Sequence, residues 1–150
     1  MSQIQSNIKP CLWYDNQAKE AAEFYCSIFP NSKIISASNL LVDFELNGMP
    51  FAGLNGGPKF KFNESVSFQV FCEDQAEVDH LWDSLTADGG EESMCSWCKD
   101  KYDLSWQIIP KRFIEMMSTG TPEQVQRVTE AMLKMRKLII ADFEKVFYQD

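Results

Sequence analysis

Residues 8–28 read IKPCLWYDNQAKEAAEFYCSI and residues 66–86 read VSFQVFCEDQAEVDHLWDSLT, and the two align without a gap at a constant offset of 58. Asp15 to Ala18 fall on Glu73 to Ala76, and Phe24 falls on Trp82. Identities are few, so the likeness is one of pattern: an apolar strand, an acidic or amide cap, then an amphipathic helix, twice. An internal repeat of this kind limits the chain to architectures built from two copies of one supersecondary unit.

Each helix follows from its periodicity. Ala18, Ala21, Ala22, Tyr25, Ile28 and Phe29 share one face, as do Val78, Leu81, Trp82 and Leu85. Asp74 and Glu77 form a capping pair, and Asp88-Gly89-Gly90 ends the second helix. The remainder of each unit is β-rich. Leu40, Val42, Phe44 and Leu46 alternate with Leu41, Asp43 and Glu45, and Asn47-Gly48 signals a tight hairpin into residues 49–54, with Pro50 at an edge position. In the second unit residues 99–102, a turn at Asp103 and residues 104–109 repeat that form. An offset of 55 there places Phe51 on Trp106 and Ala52 on Gln107. The expected fold is α+β: two tandem βαβββ units, 8–55 and 65–109, joined by the loop 56–64.

After Pro110 the pattern turns helical. Thr121-Pro122-Glu123-Gln124 combines an N-cap, a first-turn proline and a capping-box glutamine. Val125, Val128, Met132 and Met135 form an apolar stripe that continues, past a kink, through Ile139, Phe143 and Phe147. The expectation is one domain over 1–150, with C-terminal helices over 111–148 that cover a sheet or a partner subunit.

Composition narrows the partners. The chain is 45% hydrophobic and carries a formal net charge of −8, which argues against nucleic acid, whose phosphates need a clustered cationic surface. No apolar run approaches the roughly 20 residues of a bilayer span. The start, MSQIQSNIKP, lacks the features of a signal peptide, and five cysteines, an odd number, suit reduced thiols. A cytoplasmic location is expected.

Tandem βαβββ units are the plan of the vicinal oxygen chelate superfamily, which includes glyoxalase I, extradiol dioxygenases and bleomycin-resistance proteins. The sequence resembles its PhnB-like branch, often labelled 3-demethylubiquinone-9 3-methyltransferase-like, through PCLWYD (10–15), EAAEFY (20–25), IFPNS (28–32), LNGGP (54–58), FKFN (60–63) and KDKYDLSWQI (99–108). The resemblance implies a glyoxalase/bleomycin-resistance fold, whose metal ligands stand on the first and last strands of each unit and face the cleft of a cupped sheet.

Strand parity divides the faces. Ile8, Pro10, Leu12 and Tyr14, with Val66, Phe68, Val70 and Cys72, are uniformly apolar and suit the face under the helices. Lys9, Cys11, Trp13, Ser67, Gln69 and Phe71 would then line the cleft, with Pro50, Ala52, Leu54, Ser105, Gln107 and Ile109. Metal-dependent members carry His, Glu or Gln at four such places. The resemblance puts Gln107 at the last-strand glutamate position, and the repeat puts Lys9, Ala52 and Ser67 at the others. Those residues are a cation, a methyl group and a hydroxyl, so no metal and no cofactor is expected.

Cys95-Ser-Trp-Cys98 is a CxxC without a second pair, on or beside a strand, and reads as two independent thiols. Residues 59–63, KFKFN, alternate base and aromatic, as either a dimer-covered edge strand or a cationic, aromatic lip to the cleft. The candidate ligand-binding residues are therefore Lys9, Cys11, Trp13, Gln69, Phe71, Cys95 and Gln107. They suit a metal-independent small-molecule binding protein, with an enzyme of the same superfamily or a dimeric interaction protein as alternatives. Methyl transfer is not supported, because no glycine-rich turn follows the first strand. A homodimer is expected because open sheets leave edges to cover, with Phe60, Phe62, Met132, Met135 and Phe143 as candidate contacts.

Overall fold

The computed structural model describes residues 7–149. It divides into two units, one ending at Lys61 and one beginning at Phe62.

The first unit runs β1 (Cys11–Tyr14), α1 (Ala18–Ile28), β2 (Lys33–Ala37), β3 (Leu41–Leu46) and β4 (Met49–Asn55). Its sheet has the order β1-β4-β3-β2, with β1 parallel to β4 and the other pairs antiparallel. α1 has no side-chain cap at Gln17; instead the Asn55 side-chain oxygen accepts from the Ala18 N–H at 2.9 Å, tying the helix start to the end of β4. Ala18, Ala21, Ala22 and Tyr25 are fully buried. The small residues let the helix approach closely: a Cβ on Gly53 would lie 3.2 Å from that of Ala18. Tyr25, Phe44 and Phe51 stack in sequence at 6.4 and 5.5 Å between ring centroids. The Asn47-Gly48 hairpin forms as expected, both residues at positive φ (49° and 80°), which the two-residue turn joining twisted strands requires. β4 is an inner strand, not an edge. Pro50 fits because it precedes the β1 pairing, which begins at Ala52.

The second unit repeats this plan with β5 (Ser67–Cys72), α2 (Gln75–Thr86), β6 (Glu91–Glu92), β7 (Trp97–Lys99) and β8 (Ser105–Pro110), in the order β5-β8-β7-β6. β5 and β8 are parallel and the other pairs antiparallel. The α2 cap forms as read: Asp74 accepts from the Glu77 N–H at 2.9 Å, and the Glu77 carboxylate accepts from the Glu73 N–H at 2.8 Å. Val78, Leu81, Trp82 and Leu85 are buried. The repeat is thus a repeat of topology, and the α+β expectation of two βαβββ units holds.

Three expected strand details change. The penultimate strand of the second unit is Trp97–Lys99 rather than 99–102. Asp100 Oδ1 accepts from the N–H groups of Tyr102 and Leu104, at 2.8 and 3.2 Å, and so winds that segment into a turn. Residues 59–63 form no strand; Phe60 turns back to pack edge-on against Trp13 at 4.9 Å. Ile8 and Val66 lie outside their strands and are 83% and 61% exposed, not under helices.

Three helices follow: α3 (Lys111–Thr119), α4 (Pro122–Leu133) and α5 (Ile140–Phe147). The α4 capping box forms, with Thr121 and Gln124 exchanging side-chain and backbone hydrogen bonds. The apolar stripe spans two helices and a loop rather than one kinked helix. Met116, Val128, Leu138, Phe143 and Phe147 make a core of their own, against which Met132 and Met135 pack. Phe143 is fully buried there and so is withdrawn from the expected partner contacts. Arg127 secures the end of α5 by donating to the carbonyls of Val146, Phe147 and Gln149. No helix among the described residues is long and apolar enough to cross a membrane.

Candidate functional site

In the first unit the face opposite α1 is set by register. Cys11, Ala52, Asp43 and Ser36 lie side by side across the sheet. Cys11 is exposed, while Ala52, a single methyl between taller neighbours, is 3% exposed and offers no donor atom. Lys9 does not stand free: its ammonium donates to Asp43 Oδ1 at 2.6 Å, and the Ser36 hydroxyl lies 3.4 Å from Oδ2 of the same carboxylate. Asp43 is the residue that sequence reasoning missed. Its signal was its place as a polar member of the alternating strand, but only register sets it diagonal to Lys9. Trp13 is half-buried by its own chain. Its indole N–H donates to the Gly57 carbonyl at 2.8 Å, Phe60 packs edge-on to it, and a Cβ on Gly56 would run into the ring. The Asn55–Phe60 segment is therefore a clasp over Trp13.

In the second unit the corresponding face carries two registered rows. Ser67, Ser105, Lys99 and Glu91 form one, and Gln69, Gln107 and Trp97 the other. Gln107 donates from Nε2 to the Ser67 hydroxyl at 2.8 Å, and its Oε1 accepts from Gln69 Nε2 at 3.3 Å. Gln107 and Gln69 thus lie on one face in one chain of amides. Phe71 is half-exposed at the end of β5. Ser105 and Ile109, expected to line an open cleft, are instead 1% and 5% exposed. Ser105 is flanked on both sides by registered neighbours, and Ile109 stands immediately before Pro110, where the chain enters α3.

Lys99 pairs with Glu64, and that hydrogen bond holds the Glu64 carboxyl below its usual range and the Lys99 ammonium above it. Cys95 lies beside a strand, in the turn just before β7, with positive φ (58°), and its N–H donates to the Met135 carbonyl at 2.8 Å. Cys98 is buried, and that burial, reinforced by Asp100 and Glu92, pushes its thiol up to about 12. A thiol so raised is nearly all protonated at neutral pH and is a poor nucleophile. Cys95 and Cys98 are both free.

The superfamily's metal finds no fitting donor set at the four equivalent positions. Lys9 is a cation held by a carboxylate, Ala52 has no donor atom, and Ser67 offers only a neutral hydroxyl, which leaves the Gln107 amide without companion ligands. Among the described residues no three of His, Cys, Asp or Glu gather to hold a metal ion. The arrangement can instead orient a polar, neutral group by amide donation and acceptance.

Two βαβββ units of identical strand order place the protein in the vicinal oxygen chelate superfamily. Within it, residues 6–109 match the model of the 3-demethylubiquinone-9 3-methyltransferase family, and the chain belongs to that family. It is similar to the PhnB protein from Bacillus cereus, at 29% identity and a TM-score of 0.65, over 70% of this chain and 99% of that one. The fold also matches the protein PA1353 from Pseudomonas aeruginosa, at 13% identity and a TM-score of 0.56, over 71% of this chain and 98% of that one. The fosfomycin resistance protein FosX from Listeria monocytogenes, in a structure complexed with Mn(II) and sulfate, matches at 14% identity and a TM-score of 0.54, over 72% of this chain and 91% of that one. No curated protein matches the chain.

Proposed function

We propose that the chain, as one domain over 1–150, is a metal-independent small-molecule binding protein that takes up its ligand on the open face of the second sheet. The carrying observation is the amide chain Gln69–Gln107–Ser67 on a sheet face, where the superfamily's last-strand carboxylate is replaced by a neutral donor and acceptor. An uncharged amide orients a polar ligand without the charge that holds a divalent cation. Phe71 and Cys95 complete the candidate set within the second unit, and Lys9, Cys11 and Trp13 form a separate candidate group on the first. A second reading, an enzyme of the same superfamily, draws on the exposed Cys11 thiol, registered on one face with the Lys9–Asp43 pair.

The methyl transfer in the family's name does not follow from these residues. A nucleoside cofactor of that type is usually cradled by a glycine-rich turn between strand and helix of a parallel sheet. Here the two strand-to-helix connections, 15–17 and 73–74, contain no glycine, and both sheets are mixed.

A thermal-shift screen of small metabolites tests the binding function, because any ligand of the native state raises the midpoint by mass action. Hits are expected with metal chelator present. Gln107→Ala is expected to weaken them about tenfold, the scale of one or two lost hydrogen bonds to a polar ligand, while leaving the fold intact. Hits that vanish with chelator, or persist undiminished in the variant, would overturn the assignment.

We infer further that the protein is a cytoplasmic homodimer. Each sheet is open, and β2 is an edge strand on which Ile35 is 54% exposed. Phe60, 56% exposed, and the half-buried Phe62 remain candidate contacts. Light scattering at micromolar concentration is expected to give twice the mass of the chain; a monomer there refutes the dimer.

A further inference from the structure

Two successive residues before β7, Cys95 and Ser96, stand in the left-handed region, at φ 58° and 81°. Neither is a glycine, and a side chain makes that region costly, so a pair of them persists only where neighbours hold it. The holders come from the far end of the chain. The Cys95 N–H donates to the Met135 carbonyl at 2.8 Å, and the Ser96 N–H to the Arg136 carbonyl at 3.0 Å. On its other side the Ser96 carbonyl accepts from the Ile108 N–H of β8 at 2.9 Å, and Ser96 is 3% exposed. Residues 134–139, between α4 and α5, are thus a strap that pairs with this loop through backbone groups.

The strap is itself fastened on two sides. Gln75, the first residue of α2, brackets it: its Nε2 donates to the Leu138 carbonyl at 3.0 Å and its Oε1 accepts from the Ile140 N–H at 2.8 Å. Lys137 pairs with Asp79, one turn further along α2, at 2.9 Å. On the opposite side Leu138, 1% exposed, belongs to the core of the three C-terminal helices. These helices lie beyond the residues that match the family, which end at 109. The left-handed pair therefore depends on a part of the chain outside that match.

We propose that the C-terminal helices act as a clamp: the strap 134–139 holds Cys95 and Ser96 in the left-handed region and so fixes where β7 begins. β7 starts at the next residue, Trp97, which is registered with Gln107 and through it with Gln69. A mere cover needs only apolar contact. Two consecutive strap carbonyls accepting from two consecutive loop amides also set the direction of the backbone. When the strap lifts, both N–H groups lose their acceptors and the two residues relax toward ordinary φ, which turns the chain as it enters β7. The clamp touches the binding function proposed above only through Trp97, and its test uses no ligand, so each stands or falls alone.

The test is amide hydrogen exchange on the full chain, read residue by residue by NMR, because exchange of a protected amide reports how often its bond opens. Gln75→Ala removes two of the bonds that hold the strap but touches neither Cys95 nor Ser96. It is expected to speed exchange at both amides about tenfold, the scale of one or two lost hydrogen bonds. The Trp97 amide and indole signals should shift with them, while the amides of β3 stay unchanged. Lys137→Ala, a milder surface change, is expected to act the same way by about twofold. Cys95→Gly in the Gln75→Ala chain removes the cost of a side chain at positive φ, and should slow the exchange at Ser96 again by about threefold. Parental exchange at Cys95 and Ser96 in Gln75→Ala, beside a freed Ile140 amide, would show that the strap does not hold the loop. Equal acceleration across β5 and β8 would show global unfolding instead of a clamp. Either result overturns the proposal, as does a glycine variant with no recovery.

Discussion

Replacing Asp100 with alanine is expected to cost about 3–5 kcal/mol of stability, the range for stripping the partner from buried polar groups. Asp100 is fully buried, and its carboxylate is the acceptor for three donors: the N–H groups of Tyr102 and Leu104, and the Trp106 indole N–H at 2.9 Å. Leu104 and Trp106 are themselves 2% exposed, so water cannot take over the vacated bonds. For a chain of this size each kcal/mol moves the melting midpoint by roughly 2–4 °C, so a fall of about 10 °C is expected. Asp100→Asn keeps one oxygen for the two backbone donors but sets its N–H₂ donor against the indole N–H donor, so that bond alone is lost, and it should cost about half as much. Thermal and urea unfolding read both. The carboxylate also sets the turn that delivers β8, so ligand binding at Gln107 should fall with stability. A loss under about 1 kcal/mol in the alanine variant would refute the role given to Asp100.

Gly90→Ala is expected to be comparably damaging, at about 3 kcal/mol, the upper range for overpacking. A Cβ there would meet the Leu85 carbonyl oxygen and lie 2.8 Å from both the Lys99 carbonyl oxygen and the Thr86 carbonyl carbon. Every neighbour is backbone, belonging to the end of α2 and to β7, and none can swing aside as a side chain does. The added methyl must therefore push β6 from β7. Gly56→Ala provides the contrast, since the added methyl meets the Trp13 ring, which can rotate on its own χ angles. Urea unfolding of the two variants should rank Gly90→Ala as the more destabilised. Equal stability to the parent chain would show that the backbone relaxes around residue 90.

Much of the fold was legible because it rests on local chemistry. The offset of 58, the Ala18–Tyr25 and Val78–Leu85 faces, the Asp74–Glu77 cap, the Thr121–Gln124 capping box and the Asn47-Gly48 turn all work over a few residues, and each appears in place. Strand parity likewise put Leu12 and Tyr14 on the buried side and Gln69 and Gln107 on the other. Parity failed where a strand ended. Ile8 and Val66 continue the apolar alternation but fall before the first paired residue, so no helix covers them. The 59–63 alternation did not become a strand: Phe60 packs edge-on against the Trp13 ring instead.

The site was less legible, because its chemistry is made by partners distant in sequence. Lys9 reads as a free cation until register brings Asp43, 34 residues on, within 2.6 Å. Ser105 reads as an open strand residue until its registered neighbours bury it with its hydroxyl unpaired. Lys99 reads as the start of a strand until Asp100 turns the chain behind it. The sequence by itself determined the two βαβββ units, their helices and their caps, since periodicity and capping are local properties. Only the tertiary structure decided which charges are spent on one another and which hydroxyl stays unpartnered. Those depend on strand register and on where each strand stops, and backbone pairing between distant segments fixes both.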